Sequence, residues 1–273
     1  MGDDFQLYAR KHSTITTFFL LLKEASMKKH YWFILLTYML VQLSAIVGIP
    51  LLQLLGIGST GAERFAFWTI ISFALGIVVT LYLLRHERTQ RESIFQGDPA
   101  SVGASIGWSV LGFVMAIMVQ NIAANIEINL FGIDPGSENT EMIVSIIEMT
   151  PLVIIVTSII GPILEEIVFR KILFGAIYTK TNFFVAALIS SVIFSLFHGE
   201  PEHLLLYASM GFTFAFLYVK TKRIIVPIIA HVSMNTMVVL LQLVFREDIE
   251  KYMEQLEKMQ LEQQLQAIIG GFI

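Results

Sequence analysis

Long apolar runs are the feature that most restricts how this chain can fold. A helix needs about 20 mostly apolar residues to cross the hydrocarbon core of a bilayer, which is about 30 Å thick. The pattern predicts an all-α, polytopic transmembrane helix bundle of about seven spans, with six to eight as the range: 31–55, 65–84, 102–126, 143–178, 183–197, 204–219 and 224–245. The fourth run is too long for one simple span, and the fifth and sixth are short for spans.

The composition supports a membrane protein and excludes several other classes. The chain is 55% hydrophobic and 15% charged, whereas an ordinary soluble domain has about 25% charged residues. The net charge of -4 comes without any basic stripe with interleaved aromatics, so nothing indicates nucleic acid as a partner. Cysteine is absent, which excludes disulfides, thiolate metal ligands and a cysteine nucleophile. Any metal would therefore need histidine and carboxylate ligands.

The distribution of lysine and arginine predicts the orientation of the chain. Basic residues are concentrated in alternate loops, and cytoplasmic loops carry the excess of such residues. The loops that we expect on the cytoplasmic side contain Lys28, Lys29, Arg85, Arg88, Arg91, Lys180, Lys220, Lys222 and Arg223. The loops 127–141 and 199–203 contain only acidic charges apart from histidine. We therefore expect a multi-pass protein of the cell membrane with a cytoplasmic amino terminus.

Two adjacent glutamates stand in the fourth apolar run. Ionisable groups inside a spanning helix are costly and mark functional sites by default. Neighbours on a helix point about 100° apart, and Arg170 lies one turn after Glu166. A buried Glu166–Arg170 pair would leave Glu165 without an ionic partner and suited to act as a general base. Alternatively the span ends near Ile163, and these residues are ordinary groups at the cytoplasmic edge.

Three further polar residues follow on the last apolar runs. His198 ends the fifth run, where a lone histidine is more often interfacial or structural than catalytic. His231 and Asn235 are four residues apart and share one helix face in the last run. Polar contacts between helices would explain either residue alone, but the pair on one stripe favours a site.

These motifs resemble the CPBP family of intramembrane proteases, also called the ABI or CAAX-protease-like family. The family has a double glutamate with an arginine four residues after the second, then Phe-x-x-x-His, then His-x-x-x-Asn. It includes the type II CAAX prenyl endopeptidase and bacterial members of the YdiL type. This chain supplies the three motifs in the same order at 165–170, 194–198 and 231–235, and the resemblance covers about residues 145–245.

The resemblance implies a role for each of these positions. Glu165 would activate water, and His198 would help to hold and deprotonate it. His231 and Asn235 would stabilise the oxyanion at the scissile carbonyl. The supporting residues Glu166 and Arg170 would organise the site.

The resemblance also raises the question of a metal, because relatives are often called metalloproteases. Zinc is a possible cofactor, with Glu165, His198 and His231 as candidate ligands. The pattern is not His-Glu-x-x-His, however, and a metal-free glutamate mechanism is equally defensible.

The apolar runs and the resemblance together divide the chain into four regions. We expect a cytoplasmic amino-terminal arm (1–30), three amino-terminal transmembrane helices (31–126), a catalytic core (143–245) and a polar or amphipathic tail (246–273). The expected function is an intramembrane endopeptidase that acts on a membrane-associated or prenyl-like, CAAX-type peptide or protein in the lipid bilayer.

Two other functions are open. Intramembrane Glu, Arg and His also build the proton relays of transporters, and a non-catalytic membrane scaffold would need none of this chemistry.

Overall fold

The described part of the protein is built from helices alone. The structure is a computed structural model that describes residues 27–85, 87 and 94–245, together with positions 248, 251, 255, 258 and 259. Within those residues it contains nine helices and no strand, which confirms the predicted all-α class: α1 Lys29–Leu43, α2 Ala45–Leu54, α3 Gly61–Leu84, α4 Val102–Phe131, α5 Glu138–Met149, α6 153–178, α7 Phe183–Leu196, α8 Leu204–Thr221 and α9 Ile225–Val244. Most of the predicted amino-terminal arm and tail lies outside the described residues.

Several of these helices could cross a membrane. By length and composition α3, α4 and α9 qualify, and so does α8 together with the turn Pro201–His203 before it. Helices α1 and α2 meet at a bend of 49° and would form a fifth span as a pair. Helix α7 is apolar but has 14 residues, about 21 Å of helix, so it is short as the sequence predicted. The predicted count of about seven is therefore approximate, and the sixth predicted run is longer than expected.

The fourth predicted run, 143–178, is not one helix. Helix α5 ends at Met149, and α6 begins after the turn at 150–152. The residue before a proline is disfavoured in the α conformation, and Thr150, which precedes Pro151, has φ -140° and ψ 82°. The long run that was ambiguous in sequence is therefore divided at this turn. Helix α5 is instead a separate helix of 12 residues.

Helix α6 lies at the centre of the bundle and is irregular. It has two π-helical stretches, Val156–Ile160 and Glu166–Phe174, on either side of the α-helical Gly161–Glu165. π-helical turns are rare and occur frequently at functional sites. Its second half is almost wholly buried, with Phe169, Ile172 and Phe174 inaccessible to solvent. The alternative in which the span ends near Ile163 is therefore wrong: the helix continues through the core of the bundle to Tyr178.

The basic loops meet at one end of the bundle. The loop after α3 reaches the turn between α8 and α9, where Lys222 Nζ donates to the Gln96 carbonyl and Arg223 Nε donates to the Ala100 carbonyl at 2.6 Å. At the same end Lys171 Nζ lies 2.7 Å from Glu87 Oε2.

The Glu87 carboxyl is strongly paired at this end. Burial works to raise its pKa, but hydrogen bonds from Lys171, Tyr31 and His30 and the charge of the lysine outweigh it. The pKa of Glu87 falls from 4.5 to about 2. Glu87, in the loop after α3, therefore contacts both the start of α1 and Lys171 of α6.

Candidate active site

A buried ion pair anchors the predicted site. Glu166 and Arg170 are both fully buried, and Arg170 Nε lies 3.4 Å from Glu166 Oε2. The guanidinium also sits over the rings of Phe194 and Phe214, at 4.2 Å and 5.4 Å from their centres. The predicted pair is confirmed, and the aromatic faces add cation–π attraction to it.

His231 connects this pair to Glu165. Its Nδ1 lies 2.9 Å from Glu166 Oε1, and its Nε2 lies 3.7 Å from Glu165 Oε2. When Glu166 is ionised it can only accept, so Nδ1 carries the proton and Nε2 is the nitrogen that faces Glu165. The sequence did not indicate that α9 brings His231 beside Glu165, and this contact is ionic only when the ring carries both protons. The distance of 3.7 Å is too long for a direct hydrogen bond, so both groups remain available to a substrate or water.

His198 lies in the turn just after α7. Its Nδ1 lies 2.9 Å from the Phe194 carbonyl, and since a carbonyl only accepts, Nδ1 must donate. The other nitrogen, Nε2, is then the one that can accept a proton. The ring stacks on Tyr207 at 4.0 Å between centres, which fixes its plane. His198 is thus held on two sides, by the end of α7 and by α8.

One cavity contains the four predicted catalytic residues. It has a volume of about 470 Å³ and is lined by Glu165, His198, His231 and Asn235, among others. Asn235 follows one turn after His231 and donates from Nδ2 to the Thr157 carbonyl at 3.4 Å. The structure therefore brings the four together from α6, α9 and the turn after α7. Glu166 and Arg170 lie behind this lining.

Glu127 was missed by the sequence reasoning. That reasoning placed it in an acidic outer loop, but α4 continues to Phe131 and buries it, with 1% of the residue exposed. Its Oε1 accepts the Leu206 amide at 2.9 Å, and its Oε2 lies 3.0 Å from His203 Nδ1. Helix α8 has no side-chain N-cap of its own, so Glu127 satisfies one of its free amides. The continuing apolar pattern to Phe131 was the available signal.

Glu200 is a second missed residue, also assigned to an acidic loop. It accepts from the Tyr207 hydroxyl at 2.5 Å, the Asn139 amide at 2.9 Å and the Ser137 hydroxyl at 2.9 Å. Burial alone would raise the pKa of the Glu200 carboxyl, but these donors outweigh it and hold the pKa below its ordinary value. Because Tyr207 stacks on His198, Glu200 connects the start of α5 to His198.

The candidate zinc ligands do not form a ready-made metal site. Zinc needs donor atoms about 2.0–2.2 Å from the ion, hence close to one another. Among the described residues the donors of Glu165, His198 and His231 do not all lie within 4.8 Å of one another. Glu200, Glu202 and His203 do so, but Glu200 and His203 are engaged in the contacts given above. The residues present therefore do not fit a preformed zinc site, and the chemistry below uses none.

Comparisons with known proteins agree with the motifs. The family described as type II CAAX prenyl endopeptidase Rce1-like matches residues 147–237. YdiL of Bacillus subtilis, named as a candidate membrane peptidase, is 51% identical over 251 residues, which cover 90% of this chain and 99% of that protein. The membrane-embedded CAAX protease MroQ of Staphylococcus aureus is 33% identical, over 76% of this chain and 85% of MroQ. No solved structure matches the chain.

Proposed function

Because the chain belongs to the Rce1-like CAAX protease family of membrane proteins, we propose that it is an intramembrane endopeptidase in which Glu165 activates water. The observation that carries the proposal is the position of Glu165. Its side chain is 18% exposed, lines the cavity, and faces His231. Glu166 next to it is fully buried in the ion pair, so Glu165 is the carboxylate that a substrate can reach.

The proposed hydrolysis needs only groups on the cavity wall. Glu165 takes a proton from water as the oxygen attacks the scissile carbonyl carbon, and His198 holds the water through Nε2. The tetrahedral intermediate then collapses, the carbon–nitrogen bond breaks, and Glu165 returns the proton to the leaving amine. The products are a carboxylic acid and an amine, which become a carboxylate and an ammonium ion when the acid gives up its proton, and the enzyme is restored.

His231 and Asn235 would stabilise the oxyanion of that intermediate. His231 Nδ1 is already used by Glu166, so Nε2 can donate to an oxyanion only when the ring carries both protons. The Glu166 carboxylate balances that positive charge, because Glu165 holds the water proton at this stage. Asn235 has an amide that can donate beside it. Arg170 in turn fixes Glu166 and thereby the tautomer of His231.

The substrate that we propose is a membrane-associated peptide or protein, of prenyl-like or other CAAX-type character. The apolar outer faces of the helices, with Leu54 84% and Ile46 73% exposed, suit a surrounding bilayer. We further propose that the protein lies in the cell membrane with a cytoplasmic amino terminus.

The test is cleavage of a quenched peptide library, including farnesylated members, by purified protein in lipid–detergent micelles. Wild type should cleave at least one peptide, and Glu165→Gln should lose at least 100-fold in rate, since one general base contributes about 10²–10⁴-fold. Glu141→Gln, an exposed glutamate on α5, is the matched control and should retain activity. Full activity of Glu165→Gln would refute the mechanism. Loss of activity with a chelator and its recovery with zinc would refute the metal-free chemistry. If folded wild type cleaves no peptide, proton-coupled transport and a scaffold role are the functions to test next.

A further inference from the structure

The cavity opens at the end of the bundle opposite the basic loops. Its wall includes the segment 136–140 between α4 and α5, His203 and Tyr207 at the start of α8, and Gln242 near the end of α9. None of its described lining residues comes from the basic-end segments 94–101, 179–182 or 221–224. At the rim, Gln42 and Gly136 are exposed. The cavity therefore lies toward this end of the bundle and has no described lining residue at the basic end.

The charge distribution assigns that end to a side of the membrane. The basic end contains Lys28 and Lys171 near Glu87, and Lys222 and Arg223 in the turn between α8 and α9. The opposite segments, 55–60, 132–137 and 197–203, contain no lysine or arginine, and the segment 246–259 after α9 contains three basic and five acidic residues. Arg64 lies near that end, and its Nη1 donates to the Gly58 carbonyl at 2.7 Å. By the rule that basic loops stay in the cytoplasm, the cavity faces away from the cytoplasm.

The cavity wall also limits the chemistry of the substrate. The titratable groups among its described lining residues are Tyr38, Glu165, His198, His203, Tyr207 and His231, and that lining includes no lysine or arginine. An acidic side chain of a substrate would therefore meet no lysine or arginine on this wall, and only histidines could pair with it. Uncharged amides at the rim, such as Gln42, Gln242 and Asn139, can instead hydrogen-bond an extended peptide backbone.

From these observations we infer that the enzyme takes its substrate from the extracytoplasmic side: an uncharged or cationic extended segment of an exported or membrane-inserted peptide. This inference rests on the proposed peptidase function for its substrate. The access side itself follows from the cavity and the charges alone.

The access side can be tested without any activity, because the chain has no cysteine. Gln242→Cys introduces one thiol at the cavity mouth, and Lys180→Cys introduces one in the turn at the basic end. A membrane-impermeant maleimide applied to intact spheroplasts should label Gln242→Cys at once and Lys180→Cys only after permeabilisation. The reverse pattern would overturn the inference. Equal thermal stability of both variants and wild type shows that each is folded.

The substrate class is tested with purified wild type and peptides that differ only in charge. Neutral and lysine-containing peptides should be cleaved at least 10-fold more efficiently than peptides with aspartate on both sides of the bond. Equal cleavage of acidic and neutral peptides would overturn the substrate class. If no peptide of any kind is cleaved, the proposed peptidase fails with it, while the labelling still decides the access side.

Discussion

The substitution Arg170→Met tests the buried ion pair most sharply. It removes the guanidinium, which is fully buried at 3.4 Å from Glu166, and leaves a carboxylate out of contact with water. Breaking a buried pair by removing one partner costs about 3–5 kcal/mol of unfolding free energy. His231 still donates to Glu166 and moderates the loss, so we expect a value near the lower limit, about 3 kcal/mol.

The double variant Glu166→Gln/Arg170→Met separates charge from packing. The amide oxygen of glutamine can still accept from His231, and no unpaired charge remains. Replacing both partners of a buried pair is often neutral, so the double variant should recover at least about 2 kcal/mol relative to Arg170→Met. Lys180→Met, in an exposed turn, is the control and should not change stability.

The assay for these variants is unfolding in mixed micelles by titration with sodium dodecyl sulfate, followed by the loss of helical circular dichroism. The free energy of unfolding is compared among the four proteins. The reasoning is refuted if Arg170→Met lies within about 1 kcal/mol of wild type. It is also refuted if the double variant is as unstable as the single one, because the loss would then come from packing rather than from an unpaired charge.

Three further predictions concern residues around the site and at the basic end. The folded-state pKa of Glu87 is about 2, below its ordinary value of 4.5, so the stability that this carboxylate contributes is complete above pH 4.5 and is lost as the pH falls toward 2. The difference in melting temperature between wild type and Glu87→Gln should therefore shrink between those two pH values. A constant difference would contradict the pairing. Tyr207→Phe should lower the free energy of unfolding by about 1.5–3 kcal/mol, because the hydrogen bond to Glu200 is lost, but it should keep cleavage. Tyr207→Leu should also lose cleavage, because His198 loses the ring on which it stacks. Equal cleavage by the two variants would show that stacking does not position the histidine. Glu127→Ala should lower the free energy of unfolding by about 1–3 kcal/mol, because it leaves the buried Leu206 amide unpaired. Glu127→Gln keeps one acceptor for that amide and should lower it less. Equal losses in the two variants would exclude capping of α8 as the cause.

Much of the site could be predicted from local sequence patterns. Helical spacing alone indicates that Arg170 reaches Glu166 and that Asn235 shares a face with His231. The apolar runs around these residues indicate burial, and the order of the motifs indicates a common site. Each of these inferences depends on residues within a few turns of one another, where helix geometry is fixed.

The remaining features depend on contacts between distant parts of the chain. Glu127 and Glu200 resemble ordinary loop acids in sequence, and only packing against α8 and α5 supplies their partners. The approach of His231 to Glu165 likewise requires α9 to cross α6. The π-helical stretches of α6 have no clear sequence signal, although Pro151 could have located the break before that helix.

Single-turnover cleavage of one peptide from the library, in water enriched with ¹⁸O, tests the central claim most directly. Product fragments and the intact protein are weighed in the same sample, for wild type and for Glu165→Gln. The account predicts that wild type yields two fragments with one ¹⁸O atom in the new carboxylate, that the protein stays unmodified, and that Glu165→Gln yields no fragments. Fragments from Glu165→Gln at the wild-type rate, or a protein that carries part of the peptide covalently, would contradict water activation by Glu165.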